Sequence, residues 1–152
     1  MQHRFKPEFK KTGETNPKFL HAGDFPVITR NITVKAGQKL SYGSVVGKVS
    51  ADEKYVLCAK TSTAAATPSA PNPQPVAVND GSQEPQGILT EDVDASQEDQ
   101  PAVIYLTGQF NTNYMSAGEG YETNGILTAE MCDKLRSLSI FTEAGVKAFP
   151  RS

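Results

Sequence analysis

The sequence predicts a mainly β domain with one short helix and an extended N-terminal arm. Three observations point to it. Val34 to Val49, VKAGQKLSYGSVVGKV, sets Val34, Leu40, Val45, Val46 and Val49 between Gly37, Gly43 and Gly47. That is the pattern of short pleated strands joined by turns that need positive φ or close backbone approach. Before it, FPVITRNITV alternates Ile28, Ile32 and Val34 with polar residues at the period of a strand. Helical spacing occurs once, after Thr128, where Met131, Leu135 and Leu138 fall at i, i+4 and i+7 on one apolar stripe.

Residues 1–24 read as an arm. MQHRFKPEFKKTGETNPKFLHAGD is polar, basic and broken by Pro7 and Pro17, yet it carries Phe5, Phe9, Phe19 and Leu20, a mixture suited to a segment that orders on a partner. Residues 25–145 form the folded domain. After the first strand comes the Ala36-Gly37 turn, and Val45–Val49 with Tyr55–Ala59 make a hairpin across Ser50 to Glu53. Residues 61–75, TSTAAATPSAPNPQP, are small, Pro-rich and uncharged, which builds no core and reads as an exposed loop. Strands at Gly87–Val93 and Val103–Thr107, a turn at Gly108 and a strand-like Gln109–Asn111 follow. Thr128 caps the helix, the helix packs on the sheet, a final strand runs through Ser139–Glu143, and 146–152 trail beyond.

At 152 residues the chain is expected to be one domain. A domain of that size hides roughly 68–70% of the surface its unfolded chain exposes, so it needs neither disulfide nor metal to fold. Cys58 and Cys132 are too few for a disulfide framework and read as reduced, buried thiols. With no cationic, apolar leader and no apolar run of membrane-spanning length, a soluble protein made in a cytoplasm is expected. The net charge of −2 conceals segregation. No Lys or Arg occurs from Thr61 to Cys132, a stretch with ten acids, whereas Arg4, Lys6, Lys10, Lys11 and Lys18 crowd the arm. Such asymmetry steers an arm toward an acidic partner surface or is ordinary solvated charge. Nucleic-acid binding fits poorly, because the acidic middle repels phosphate and no basic patch interleaves with aromatics.

Motifs that suggest chemistry break down at the positions the chemistry needs. Asp92, Asp94, Ser96 and Glu98 imitate a calcium loop, but Gln97 stands where the turn needs Gly and Val103 where the site needs Glu. Gly43 to Lys48 has three residues between its glycines instead of the four of a phosphate loop, and Val49 replaces the metal-binding hydroxyl. Gly118-Glu119-Gly120 lacks the third glycine of a dinucleotide fingerprint. His3 and His21 lie far in sequence from both cysteines, which leaves no zinc spacing and no Cys/His nucleophile pair. Asn31-Ile32-Thr33 is a glycosylation sequon by its letters, but in a chain without a secretory leader it reads as strand. No cofactor, metal or catalytic residue is expected.

Three segments in order carry a family resemblance: VKAGQKLSYGSVVGKV, then DGSQEPQGILTEDVDASQEDQPAVIYLTGQFN (Asp80 to Asn111), then CDKLRSLSIF (Cys132 to Phe141). Together, from about Gly23 to about Gly145, they resemble the head decoration proteins of tailed phages, the lambda decoration protein D family. The 61–75 loop departs from that family, whose connection is shorter. The resemblance implies a β-clip or barrel-like fold and a homotrimer on the outer surface of the virion, at three-fold and quasi-three-fold sites of the expanded capsid. There it would staple major capsid protein subunits, with no enzymatic activity, no direct nucleic-acid contact and no membrane. It further implies that the arm reaches the capsid by adding a strand to a capsid sheet edge. Composition nominates Phe5, Phe9, Phe19 and Leu20 for apolar contact, and Arg4, Lys6, Lys10 and Lys11 for charge pairing. The alternative is a barrel-sandwich carrier of the biotinyl or lipoyl kind, or a small-ligand module, since Val34–Val49 also looks like its AGQxLxxGxVVG unit. Such a carrier needs an exposed lysine at a hairpin tip.

Overall fold

The computed structural model describes residues 20–144. The expected arm residues Arg4, Phe5, Lys6, Phe9, Lys10, Lys11 and Phe19, and the 146–152 tail, lie outside them. In chain order the elements are β1 (Ile28–Val34), β2 (Gln38–Leu40), β3 (Val45–Lys48), β4 (Tyr55–Leu57), β5 (Thr61–Ser62), β6 (Val76–Ala77), β7 (Pro85–Leu89), β8 (Val93–Ala95), β9 (Gln100–Asn111), β10 (Glu122–Thr123), β11 (Ile126–Leu127), α1 (Ala129–Ser137) and β12 (Ile140–Glu143). The chain is mainly β, as its sequence predicts.

Five strands close a ring. β1, β4, β3, β7 and β9 are hydrogen-bonded in that order, and β9 returns to β1 in an antiparallel ladder with Asn31 opposite Val103. The β1–β4 seam is parallel and short, Val34 against Tyr55, extended by the Lys35 N–H donating to the Tyr55 carbonyl at 2.9 Å. Closure removes the free edges that an open sheet of these strands would present. β9 is long enough to serve three strands: Gln100–Thr107 ladders with β1, Ile104 and Tyr105 also pair with Leu89 and Ile88 of β7, and Gly108–Asn111 carries β12 in parallel, Ile140 opposite Gly108 through Glu143 opposite Asn111.

Successive side chains of a strand face opposite sides, so apolar neighbours divide between two cores. Val46, Leu89 and Ile104 point into the ring with Val34, Tyr55 and Ala102. β2 and β8 pair antiparallel and add Leu40, Val93 and Ala95 to the same cluster. Val45 and Ile88 face the other way, onto a second cluster built from Phe110, Tyr121, Met131, Leu135 and Ile140. This explains the doubled Val45-Val46: both faces of β3 are covered.

α1 seals the outer cluster. The Thr128 hydroxyl accepts from the Met131 N–H at 3.3 Å, Glu130 sits in the first turn, and Lys134 and Arg136 lie in the last, each favourable for the helix dipole. Met131 and Leu135 are fully buried, but Leu138, expected on the same stripe, is the C-cap residue and 38% exposed. Its position past the last turn takes it off the packed face.

Three further expectations are revised. No turn occurs at Gly108; β9 runs through it with φ +152, and the Phe110 ring occupies the space a β-carbon would fill. The Gly87–Val93 strand divides into β7 and β8, because Thr90 to Asp92 turn the chain toward β2. The 61–75 segment is exposed as expected, but its base is pinned: Thr61 and Ser62 pair with Ala77 and Val76, and Glu119 accepts from the Thr63 N–H and hydroxyl at 3.0 and 2.7 Å.

Candidate functional site

The polar residues that invite chemical readings are occupied in holding loops. Asp92 accepts from the Tyr42 N–H at 2.7 Å, and Asp94 accepts from the Ser96 N–H and hydroxyl at 3.1 and 2.5 Å, so the calcium-like acids brace two turns. Among the described residues no three His, Cys, Asp or Glu side chains are placed to hold a metal ion. A groove of about 510 Å³ beside Asn31, Thr33 and Tyr55 is walled by Lys48, Asp52, Glu53 and Lys54. Its charges cancel locally: Lys48 meets Glu53 at 3.0 Å, Asp52 meets Lys35 at 2.8 Å, and Lys54 meets Asp99 at 2.5 Å. The β3–β4 turn, Ser50 to Glu53, carries no lysine, and Lys48 and Lys54 on either side of it are ion-paired. A lysine free to swing on a hairpin tip, which a carrier domain requires, is not found there.

These pairs set an acid limit. Lys35 holds the Asp52 carboxyl below its ordinary value of 3.8, the Ser82 hydroxyl and N–H do the same for Asp80, the Ser96 hydroxyl and N–H for Asp94, and Lys54 with the Ala36 N–H for Asp99. A carboxylate whose folded pKa is lowered contributes stability that is complete above its unfolded pKa and lost as pH falls through the folded value. The melting temperature is therefore expected to hold down to about pH 4 and to drop below it, with a shallower drop in Asp99→Asn. Melts from pH 7 to pH 2 check this; a midpoint already falling between pH 6 and pH 5 would point to other groups.

The two thiols differ. Cys58 is fully buried, and burial pushes its thiol up to about 12, which leaves it un-ionised and unreactive. Cys132, expected to be buried as well, is only half-buried on α1. One thiol per native chain is thus expected to react with a maleimide at pH 8, and both once the protein is denatured. Fast labelling of Cys58 in the native protein would contradict the packing around it.

Of the expected arm residues, Leu20 alone lies within the described chain. It is fully buried in the outer core; its N–H donates to the Tyr42 hydroxyl at 3.2 Å and its carbonyl accepts from the Asn111 N–H at 2.7 Å. The Ala22 N–H donates to the Gln109 carbonyl at 2.9 Å, and His21 bridges to Phe110. Leu20 therefore belongs to the domain's own core, and the chain is tied to the domain four residues before the expected boundary. Composition alone does not distinguish a leucine kept for a partner from one that docks at home.

The structure also brings together a surface the sequence reading did not single out. Phe25 and Phe141, 38% and 37% exposed, meet edge to face with ring centres 4.9 Å apart. Val27 and Ile28 beside them are 42% and 56% exposed. Ile28 continues the buried parity of Ile32 and Val34, but the ladder to β9 shifts between Ile28 and Thr29, beyond the filled part of the ring. Isolated exposed apolar residues are ordinary; four exposed apolar side chains, two of them in direct contact, make this region a candidate contact surface.

No curated protein sequence matches the chain. A family model described as "Bacteriophage lambda head decoration protein D" matches residues 10–140. That span covers most of the 152 residues, and the chain belongs to the bacteriophage lambda head decoration protein D family.

Proposed function

We propose that this protein is a capsid cement. As a phage head decoration protein it associates with the capsid of the virion. In our reading it sits as a homotrimer on the outer surface, at three-fold and quasi-three-fold positions of the expanded shell, where each trimer bridges several major capsid protein subunits. The observation that carries this reading is the family match, which runs through nearly the whole described domain and enters the arm at residue 10.

Physical chemistry supports the same role. A ligand that binds only the assembled, expanded lattice lowers the free energy of that state by mass action, about 2.7 kcal/mol per site at a hundredfold excess over Kd. Summed over many sites, this resists the outward pressure of packed DNA. The binding work falls to residues 1–19, whose basic and aromatic composition suits attachment to an acidic, strand-edged surface. The acids from Asp80 to Glu130 keep phosphate away from the folded domain.

Cosedimentation with expanded and with compact heads tests the reading. Retention on expanded heads and absence from compact ones is the expected outcome. Equal binding to both, or to neither, would remove it. Expanded heads carrying the protein are further expected to release packaged DNA at a higher temperature than bare heads.

A further inference from the structure

β12 is the last strand of the six-stranded order, and among the described residues only β9 pairs with it. The Ser139 carbonyl accepts from the Gly108 N–H, and the Glu143 carbonyl accepts from the Thr112 hydroxyl. Both ends of β12 thus face β9 with residues of one parity. The alternation of a strand then turns the N–H and C=O groups of Ile140 and Thr142 outward, toward the open edge. An open edge carrying unpaired backbone groups is a template for another strand. It lies beside the exposed Phe25–Phe141 pair, which supplies apolar contact for a side chain of that strand.

We propose that the outer edge of β12 takes an extended segment of a capsid subunit by strand addition. The inference rests on the cement reading above and locates a second contact on the folded domain. Two observations select this occupant. The arm outside the described residues joins the domain at Leu20, whose carbonyl is bonded to Asn111, the residue opposite Glu143 at the end of β12. A capsid subunit gripped by that arm lies within reach of β12. The exposed acids Asp24 and Glu143 stand one residue before Phe25 and two after Phe141 in the chain, so the complementary segment carries apolar residues at alternate positions and a cationic residue near its end.

Thr142→Pro is the discriminating variant. It deletes one outward N–H, and proline is tolerated on that side of an edge strand, so the ring and both cores stay intact. Its melting temperature is expected to stay close to the parent's, while its affinity for expanded heads falls about tenfold, the scale of a lost backbone bond and its neighbouring contact. Phe141→Lys, which leaves the backbone untouched, is expected to weaken binding similarly and covers the case in which the proline variant does not fold. Hydrogen exchange of residues 140–143 in the intact chain is expected to slow on head binding. If both variants decorate heads like the parent and exchange there is unchanged, the edge is not the contact. Failure of the parent itself to bind heads would instead remove the cement reading. If native mass spectrometry finds that Thr142→Pro loses self-association, or if exchange at 140–143 is already slow in the free protein and quickens on removal of residues 1–19, the edge belongs to a second copy or to the chain's own arm, and the capsid occupant is wrong.

Discussion

Gly43→Ala is expected to destabilise the domain by at least about 3 kcal/mol, whereas Gly37→Ala, six residues away, costs about 1–2 kcal/mol. Both glycines have positive φ, +86 and +91, so each alanine meets the same backbone penalty. They differ in surroundings. A β-carbon on Gly37 finds nothing within 4 Å; on Gly43 it would lie 2.0 Å from the Tyr114 carbonyl oxygen. That oxygen cannot retreat cheaply. The Gly43 carbonyl accepts from the Ser116 N–H, the Gly43 N–H donates to the Leu89 carbonyl, and the Val45 N–H donates to the Ser116 carbonyl. Moving the 114–116 segment therefore loosens the start of β3 and its register with β7. In a domain of this length, at about 2–4 °C per kcal/mol, the Gly43 variant is expected to melt roughly 10 °C below the parent and the Gly37 variant only a few degrees below. Thermal unfolding of the two proteins side by side decides it. Equal midpoints would mean that the loop at Tyr114 yields without cost, and that the packing around β3 is looser than described.

What the sequence disclosed, and what it hid, follows from how local each signal is. The β3–β4 hairpin was legible because Val45, Val46 and Val49 are separated from a second apolar run at Tyr55 only by the five residues 50–54 of a polar turn. Thr128 was legible because a cap and its stripe lie within ten residues. The ring was not, since its closing ladder joins Ile28–Val34 to Gln100–Thr107, and nothing in either segment names the other. Gly108 misled for a physical reason: glycine marks a turn or a close approach, and here it is the second, a site cleared for the Phe110 ring. The β10–β11 hairpin had a readable signal that the reading passed over. Asn124-Gly125, with φ of +53 and +76, is the two-residue turn that matches strand twist, but strands of two residues on either side leave no alternation to notice. For the site, the arm's composition assigned Leu20 to a partner, whereas Tyr42 and Asn111 hold it in the domain's own core. The Phe25–Phe141 contact needed the fold, because β9 brings together residues 116 apart in sequence.

Deletion of residues 1–19 is expected to leave the fold intact and to weaken head binding by roughly a hundredfold or more, the gain that linked contacts provide when three arms act together. Burying Phe5, Phe9 and Phe19 contributes roughly 1.5–3 kcal/mol each, while fixing the backbone of the arm costs about 1–2 kcal/mol per residue. Apolar contact alone does not hold such a segment. Backbone hydrogen bonds to a capsid strand and charge pairing by Arg4, Lys6, Lys10 and Lys11 have to supply the remainder, so raised salt is expected to weaken the full-length protein as well. The position of the cut matters. Leu20 fills the outer core, and Leu20→Ala in the full chain is expected to cost about 2–5 kcal/mol, so a deletion that includes it confounds lost binding with lost stability. Melting of the 20–152 protein and titration of expanded heads, at low and high salt, separate the two. Should that protein decorate heads as tightly as the intact chain, with no salt dependence lost, the arm contributes nothing to attachment and the folded domain, with the rim at Phe25, Phe141 and β12, must account for all of it.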